Sequence, residues 1–488
     1  MKLLEKEIKE FAIKLENYGL SQAQVKQFML RIICLRILEK MQHSSKLKIL
    51  STVFNDFQSK DSIALELDKS ISTLMKILGV PTESLSSFSF QNYVDQDDTG
   101  KLETLIDFII FIKYIDLEDK ELKDNGGLFS LVLSEISLIH KDSEYTPSGI
   151  SELFSRLISG VFQKNKKYDF YSPCIGYGEL AKSSIYPEYL SKLSGQDISA
   201  DSIAVAAMNF CTHGIEEFDL KIGNTLTNPL FLNNNESVAK YDCIVASLPQ
   251  IKNWLLQDNQ GIEYIKFNCE KDRFNRFNQH FIHGSRSDYA FIFHILNSMR
   301  DNGIAVIMVN LTTLYRSIDG FLREDLIGRM NVVDSIITLG KNIRIKSKSD
   351  HAILILKKNR DRNDIVFIDA TNKKLLQRSK YHNELKPESI INIANTYLSF
   401  YKGNTEICNK GEIITKVVNI NDIQRANYSM NLAEYETKED FLFDEKVLSE
   451  EKEKLVKISE KIQNRSKELE NSRLKIQEYF IELMKEKL

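Results

Sequence analysis

Apolar and polar residues alternate along the chain with two different periods, and the change of period divides the chain into zones. From residue 1 to about residue 80, apolar residues recur at three- and four-residue steps, as at Phe28, Ile32 and Leu35, and proline is absent. This spacing predicts helices. A polar stretch from Ser84 to Gly100 separates them from a helical segment, Lys101–Lys120, so we expect a flexible joint between the two.

Between residues 169 and 369 the pattern changes to short apolar runs that alternate with helical stretches. Seven runs predict buried strands, namely Tyr168–Tyr171, Tyr189–Ser194, Phe218–Ile222, Tyr241–Ser247, Ile304–Val309, Asn331–Leu339 and Ala352–Leu356. Predicted helices at Asp201–His213 and Asp288–Arg300 separate earlier strands, which is typical of a parallel doubly wound sheet. Only a basic loop joins the last two runs, so the final strand should be antiparallel to its neighbour.

The end of the chain has a different repeat. Apolar residues fall at intervals of seven at six consecutive positions, Leu448, Leu455, Ile462, Leu469, Ile476 and Leu483. The second set of heptad positions, three residues further along, is mixed, because it contains Arg465 and Ser472 as well as Ile458 and Tyr479. A long helix that packs on another protein fits this pattern better than a self-sufficient zipper, and a helix folded back on its own chain is the alternative.

These patterns predict an α/β fold with a seven-stranded mixed sheet between helical ends. The segments are an N-terminal helical segment at residues 1–84, a helical part at 101–143, a core at 144–370, a C-terminal extension at 371–440 and a helical tail at 441–488.

Composition narrows the classes of protein that the chain can belong to. Lys and Arg number 65 and Asp and Glu number 68, a net charge of -3, so no overall cationic field attracts nucleic acid. The first residues lack a secretory apolar run, and the most apolar stretch, Leu105–Leu117, is too short to span a bilayer. We therefore expect a cytoplasmic protein without membrane contact. The six cysteines form no C-x-x-C pair, which favours buried reduced thiols.

A glycine-rich segment, Tyr171–Leu180, follows the first predicted strand and leads into a helix. Gly176 and Gly178 permit a tight turn and a close approach of backbone to a ligand, and a helix N-terminus offers free N–H groups. A turn that needs glycine for steric reasons alone is the alternative.

The ends of the next predicted strands carry polar side chains. Asp197 ends the second strand about twenty residues after the glycines, where an acidic residue can accept hydrogen bonds from both ribose hydroxyls. Its alternative role is to cap the following helix. The third strand ends near Asn224 and the fourth at Ser247. Since ligand sites gather at the carboxyl ends of strands in open sheets, these positions predict a nucleotide-type site.

The order of these motifs resembles the modification subunit of type I restriction-modification systems. The resemblance runs from about Glu144 to Tyr435 and is carried by Tyr145-Thr-Pro147, Ser172–Leu180, Gly195-Gln-Asp197, Met208–Ile215, Gly223–Leu226, Ser285–Phe291, Asp301-Asn-Gly303, Gly340–Lys358 and Phe367–Ala370. It implies a Rossmann-like methyltransferase that uses S-adenosylmethionine to methylate adenine N6 in DNA. Its implied partners are DNA, a specificity subunit docked on the helical ends, a second methyltransferase subunit and a restriction subunit.

The resemblance also implies roles for single residues. The cofactor-binding positions are Tyr145, Thr146, Pro147, Pro173, Gly176, Gly178, Asp197 and Asn224. The Tyr-Thr-Pro set would lie near the methionine half of the cofactor, and Asp197 would bind ribose. Asn224 stands where the family usually has an aspartate facing adenine, so the pattern of hydrogen-bond donors and acceptors is changed.

The catalytic motif departs further from the family pattern. Where the family has Asn-Pro-Pro-Phe, this chain has Ser247-Leu248-Pro249-Gln250. Ser247 and Pro249 are the matching catalytic positions, whereas Leu248 and Gln250 do not fit. Loss of the aromatic ring removes about 1 to 3 kcal/mol of base stacking. A catalytically degenerate subunit with a DNA-binding or regulatory role is therefore the alternative to an active methyltransferase. A methyltransferase acting on RNA or protein also stays open.

Two basic clusters are candidate nucleic-acid contacts. Arg273 and Arg276 are interleaved with phenylalanines, and the loop between the last two strands carries the cations Lys341, Arg344, Lys346 and Lys348. An ordinary solvated surface is the alternative for both. His280, His283 and His294 lack metal-ligand spacing, and no phosphate-binding P-loop occurs, so neither a metal site nor nucleoside triphosphate hydrolysis is expected.

Overall fold

The computed structural model describes residues 2–41, 63–94, 99–117, 127–142, 144–161, 166–249, 272–277, 287–345, 347, 349–379, 381–404, 411–435, 459–461 and 464–465. It divides into two units, Met1–Leu432 and Ala433–Leu488. The main sheet and the helices that flank it lie in the first unit. The six heptad positions of the tail lie outside the described residues.

Helices dominate the first part of the chain. They are α1 (Lys2–Asn17), α2 (Gln22–Lys40), α3 (Ile63–Ile77), α4 (Phe90–Val94), α5 (Thr99–Lys113) and α6 (Gly127–Ile139). Ser21 and Gln24 form a capping box at the start of α2, which satisfies backbone N–H groups that have no partner within the helix. Residues on every side of α2 are buried, which is typical of a central helix.

The polar stretch after α3 packs against α2. The rings of Phe88, Phe90 and Tyr93 are almost fully buried and lie around Phe28, with ring centroids 5.4–5.9 Å from it. The predicted flexible joint is therefore wrong for residues 84–94, because three aromatic side chains in this Ser-rich stretch supply enough apolar surface to dock it.

The remaining elements alternate between strands and helices. The strands are β1 (Tyr168–Ser172), β2 (Leu190–Asp197), β3 (Phe218–Ile222), β4 (Tyr241–Ser247), β5 (Met299–Asn310), β6 (Val333–Leu339), β7 (His351–Lys357), β8 (Asp364–Ala370), β9 (Leu376–Arg378), β10 (Asn383–Leu385) and β11 (Ile414–Asn419). The helices are α7 (Ser148–Ser159), α8 (Glu179–Ser184), α9 (Ala200–Thr212), α10 (Ser287–Ser298), α11 (Gly320–Glu324), α12 (Pro387–Tyr401) and α13 (Ile420–Arg425).

The main sheet has the strand order β11-β8-β6-β7-β5-β4-β1-β2-β3. Strands β1 to β5 are mutually parallel, and β7 is antiparallel to both β5 and β6. The α/β class, the seven predicted strands and the antiparallel last pair are thus confirmed. Because β1 lies between β2 and β4, the strand order reverses beside it, and this is where open sheets form a crevice.

The sheet has nine strands rather than seven. Strand β8 pairs in parallel with β6, and β11 covers the outer edge of β8 in the antiparallel sense. Of the residues in β11 only Val418 is buried, so this edge strand lacks the continuous apolar run that marks the central strands. Strands β9 and β10 form a separate two-stranded sheet.

Two features of the described residues bear on the composition. None of their helices has the length and apolar character needed to cross a membrane. Cys34, Cys174, Cys211 and Cys243 are free thiols.

Close packing at β2 generates a stability prediction. A Cβ atom at Gly195 would lie 2.3 Å from Cδ1 of Ile175 and 2.8 Å from Cδ2 of Leu220. Gly195→Ala should therefore destabilise the protein by about 1–3 kcal/mol, measured as a lower urea midpoint. The matched control is Gly149→Ala in α7, where the Cβ meets only ordinary contacts at 3.7 Å and the midpoint should stay or rise. Equal midpoints for the two variants would contradict the packing at β2.

Candidate functional site

A cavity of about 510 Å³ lies at the carboxyl ends of the central parallel strands. Its lining includes Ser172 at the end of β1, Asp197 at the end of β2, Asn224 after β3 and Ser247 at the end of β4. The volume falls in the range of about 300–1,000 Å³ typical of small-molecule sites. The predicted clustering of these strand ends thus corresponds to a cavity in the fold.

The glycine loop between β1 and α8 forms one wall. Gly176 and Gly178 have φ angles of +53° and +79°, in the left-handed region that favours glycine. A Cβ atom at Gly178 would lie 2.9 Å from the ring of Phe210, so the steric explanation holds for this glycine. At Gly176 the nearest atom would be 3.7 Å away, so this position has more space.

Asp197 braces the glycine loop. Its Oδ2 accepts a hydrogen bond from the N–H of Gly176 at 2.9 Å, and its Oδ1 accepts one from the N–H of Ser199 at 3.0 Å. The cap of α9 is Ser199, whose hydroxyl accepts from the N–H of Ser202, so the capping alternative for Asp197 is wrong. Burial raises the pKa of Asp197 to about 6, against the opposing effect of these backbone donors.

The turn after β3 is tied to the same loop. The Asn224 Oδ1 accepts hydrogen bonds from the N–H groups of Leu226 at 3.0 Å and Thr227 at 3.4 Å. The hydroxyl of Thr225 donates to the carbonyl of Pro173 at 2.5 Å. Asn224 therefore lines the cavity while its oxygen stabilises the turn, and its amide nitrogen is the donor that distinguishes it from an aspartate.

The Tyr145-Thr-Pro147 set only partly reaches the cavity. Thr146 contributes to the lining, as does Glu144, which was not predicted. Tyr145 is buried instead, and burial raises the pKa of its phenol well above the ordinary value. Pro147 precedes the first turn of α7.

The predicted catalytic motif begins at the end of β4. The Ser247 hydroxyl is buried, lines the cavity and has no hydrogen-bond partner among the described residues. Leu248 turns away into the core, with 4% exposure, and its N–H donates to the carbonyl of Met308 in β5 at 2.9 Å. Pro249 lines the cavity, and its carbonyl accepts from the hydroxyl of Ser287 at 3.4 Å. Gln250 lies outside the described residues.

The lining also includes Glu179, Phe291 and His351, which had no role assigned from the sequence, and Arg344, which was predicted to contact nucleic acid. Burial lowers the pKa of Arg344, and burial together with the Arg344 charge lowers the pKa of His351 to about 4. Because β6 ends and the antiparallel β7 begins at the same edge of the sheet, the ends of their connecting loop face the cavity. That topology is the signal that would have found His351.

The predicted nucleic-acid contacts occupy different environments. Arg276 is fully buried, and its guanidinium donates to Asp272 and to the carbonyls of Thr225 and Leu226. The prediction that Arg276 contacts nucleic acid is therefore wrong in this fold, because every one of these bonds is internal. Arg273 is exposed, with its guanidinium 4.6 Å from the Phe274 ring centroid.

The cations of the loop between β6 and β7 are also divided. Lys341 is exposed, whereas Arg344 faces the cavity. Lys346 and Lys348 lie outside the described residues. Arg344 is therefore placed to contact a ligand in the cavity, and its role toward DNA stays a prediction.

No group of three or more His, Cys, Asp or Glu side chains within the described ranges could hold a metal ion. His294 is buried, with ring nitrogens 3.1 Å from the Tyr171 hydroxyl and 3.1 Å from Arg276. His280 and His283 lie outside the described residues.

The sheet and its cavity define a protein of the α/β methyltransferase fold. A methyltransferase subunit of a type I restriction-modification system from Streptococcus thermophilus superposes with a TM-score of 0.64 at 18% identity, over 89% of this chain and 99% of that one. A modification subunit of a putative type I restriction enzyme from Vibrio vulnificus gives 0.54 at 13% identity, over 85% and 92% of the two chains.

Sequence comparison identifies the family. The N-6 DNA methylase model matches residues 137–442, more than half of the chain, so the chain belongs to this family. The type I restriction enzyme MpnII methylase subunit of Mycoplasma pneumoniae is 26% identical over 353 residues, which are 69% of this chain and 61% of the relative. The family resemblance predicted from the sequence is confirmed.

The burial of Arg276 is open to a direct test. Arg276→Met should lower the urea midpoint strongly, by about 3–5 kcal/mol of stability, because it leaves the Asp272 carboxylate buried without its partner. Arg273→Met, three residues earlier and exposed, should change stability by less than about 0.5 kcal/mol. Similar midpoints for both variants would show that Arg276 does not act as an internal anchor.

Proposed function

We propose that this chain is an S-adenosylmethionine-dependent methyltransferase subunit that acts on adenine N6 in DNA and works with a separate specificity subunit. The observation that carries the proposal is the cavity at the carboxyl ends of β1 to β4, which places the buried Ser247 hydroxyl beside a glycine loop. Membership of the N-6 DNA methylase family supports the reaction class.

The residues present fit S-adenosylmethionine. Its adenosine and methionine parts require an elongated site of a few hundred Å³, and the cavity of about 510 Å³ meets that need. The glycine loop would pass beneath the cofactor, with Pro173 and Gly176 in the cavity wall. Gly178 would act indirectly, since it shapes the start of α8.

Asp197 is suited to hold the ribose. Its two oxygens each accept one backbone hydrogen bond, and a carboxylate oxygen has lone pairs left to accept a second from a ribose hydroxyl. Asn224 would face the adenine ring and donate through its amide nitrogen. Thr146 and Glu144 lie on the side where the methionine half would bind.

The end of β4 is suited to hold the target amine. S-adenosylmethionine, when bound, supplies an electrophilic methyl group. The Ser247 hydroxyl oxygen would accept a hydrogen from the amine and so orient it, which its lack of a partner among the described residues permits. Phe291 and Pro249 provide apolar surface in the same cavity, where an extruded base must lose its contact with water.

The partners follow from charge and from the relatives. With a net charge of -3, the chain lacks a general attraction for DNA, so an assembled complex would supply most of the affinity. The Mycoplasma pneumoniae relative is named a type I restriction enzyme methylase subunit. We propose the corresponding assembly here, with a specificity subunit at the helical ends and with a second methyltransferase subunit and a restriction subunit as further members.

A catalytically degenerate subunit is the second candidate. It is favoured by Leu248, because this side chain is buried in the core and its N–H is bonded to β5, an arrangement that the proline of the family motif cannot reproduce. Such a subunit would bind the cofactor without transferring its methyl group.

The pKa of Asp197 makes cofactor binding dependent on pH. The ionised carboxylate is the stronger acceptor for ribose, and its pKa of about 6 means that protonation begins just below neutrality. The affinity for S-adenosylmethionine should therefore be constant above pH 7 and about tenfold weaker at pH 5, where about a tenth of Asp197 is ionised. Calorimetry across this range measures the profile.

Two substitutions complete this test. Asp197→Ala should weaken binding at every pH and flatten the profile. Asp219→Asn, near the amino end of the adjacent β3 and away from the cavity, should retain the profile of the unchanged protein. An unchanged profile in Asp197→Ala would exclude this carboxylate from the cofactor site.

Transfer of a tritiated methyl group to DNA, measured with the co-purified specificity subunit, separates the two candidates. An active enzyme should lose about tenfold or more in rate on Ser247→Ala, a loss of about 1.4 kcal/mol in transition-state stabilisation. Ser247→Asn should raise the rate, because it restores the amide oxygen that the family has as acceptor at this position. Leu248 is left in place in this variant. Cofactor binding without transfer by the unchanged protein would establish the degenerate subunit instead.

A further inference from the structure

We propose that Lys26 and Asp142 are positioning residues for the cofactor loop and that they act through the side chain of Tyr177. This inference rests on the proposed cofactor site. It adds a requirement that the N-terminal helices help to set the conformation of the loop.

Tyr177 joins the loop to the helical part of the chain. It stands between the two left-handed glycines, and its side chain is only 6% exposed. Its hydroxyl donates to the Asp142 Oδ2 at 2.7 Å and also contacts the Nζ of Lys26. The residue between the two left-handed glycines is thus held by contacts of its side chain with α2 and Asp142.

Lys26 comes from the buried helix α2. The residue as a whole is 7% exposed, and its ammonium group forms an ion pair with Asp142. Burial alone would raise the pKa of Asp142, but the charge of Lys26 and the hydrogen bonds from Lys26 and Tyr177 lower it below its ordinary value. The carboxylate is therefore held ionised as the acceptor for Tyr177.

Asp142 also connects to the 144–146 segment of the cofactor cavity wall. Its Oδ1 accepts a hydrogen bond from the N–H of Glu144 at 2.9 Å, and Glu144 and Thr146 line that cavity. One carboxylate therefore links α2, the glycine loop and the 144–146 segment.

A second cavity lies on the outer side of this linkage. Its volume is about 390 Å³, and its lining includes Lys26, Asp142 and Tyr177. Glu144 and Tyr177 line both cavities. Because Tyr177 contributes to both linings, displacing it would change the shape of the cofactor site directly.

Backbone contacts hold the loop from other directions. The Tyr177 carbonyl accepts from the Asn209 side chain of α9 at 2.9 Å, and Gly176 donates to Asp197 at the end of β2 at 2.9 Å. Neither of these two bonds reaches α2. The left-handed glycines on each side of Tyr177 have conformational freedom that other residues lack, and the Tyr177 side chain adds the attachment to α2.

The decisive variant is Tyr177→Phe, which removes one hydroxyl and keeps the ring. We expect the affinity for S-adenosylmethionine in calorimetry to fall about tenfold, equivalent to about 1.4 kcal/mol, with little change in the urea midpoint. Hydrogen exchange of the peptide covering residues 174–180 should accelerate in the cofactor-free protein. This second readout does not depend on cofactor binding or activity.

A double substitution that leaves the net charge unchanged tests Lys26 and Asp142. Lys26→Met/Asp142→Asn removes both charges together, so it avoids an unpaired buried ion, and should reproduce the loss of affinity and the faster loop exchange. Adding Tyr177→Phe should weaken binding little further, because the three groups act as one unit. The control is Lys14→Met/Asp107→Asn, an exposed pair between α1 and α5 that should leave both readouts unchanged.

The outcomes distinguish this inference from the proposed function. If the protein without substitutions binds S-adenosylmethionine, the proposed site is upheld. The positioning role would then be overturned if Tyr177→Phe had the same affinity and the same loop exchange rate as that protein. If the unchanged protein does not bind S-adenosylmethionine, the proposed function fails. Loop exchange in the variants then still decides whether the linkage positions the loop, and an unchanged rate would overturn that role as well.

Discussion

The candidate site depends on the attachment of the glycine loop to the end of β2. The N–H of Ile175 donates to the carbonyl of Gln196 at 3.1 Å, and the next N–H, that of Gly176, donates to the Asp197 carboxylate. These bonds continue the pairing of β1 with β2 beyond the sheet and into the loop. The parallel register thereby determines where the loop can run, and the cavity forms in the space that it leaves.

The same attachment explains why Asp197 is both structural and available. Backbone N–H donors of Gly176, Ile198 and Ser199 stabilise its charge, whereas the surrounding protein removes water and raises its pKa to about 6. A carboxylate in this balance is pre-oriented, so a ligand hydroxyl does not have to order it on binding. The loop and its acid are therefore one unit.

Much of the fold could be predicted from the sequence because the central strands are buried on both faces. Runs such as Tyr241–Ser247 contain few polar interruptions and are bounded by turn residues, so their strand character is local information. The edge strand β11 contains both apolar and polar residues, and its strand conformation depends on pairing with β8. Its assignment required a contact about fifty residues away in sequence, which periodicity does not contain.

The same distinction between local and distant information applies to the site. The glycines and Asp197 could be predicted because strand ends fix their location. Arg276 could not, since its burial depends on carbonyl groups of the 225–226 turn, which is distant in sequence. Its local setting among phenylalanines resembles a surface that binds bases. Charge in a loop, as for Arg344, likewise does not reveal whether the side chain faces solvent or a cavity.

The half of the cavity proposed for the cofactor and the half proposed for the target base are held by separate interactions. Asp197, Thr225 and Tyr177 fix the loops after β1, β2 and β3 through bonds that do not involve the end of β4. Leu248 is instead fixed by β5 and by its own burial. A change in the motif at Ser247–Pro249 can therefore alter the handling of the target base without dismantling the cofactor cradle, because the two halves share a cavity but few hydrogen bonds. The same fold can therefore belong to a methyltransferase with an altered motif or to a binding subunit with a retained cradle, and the chemistry at Ser247 distinguishes the two.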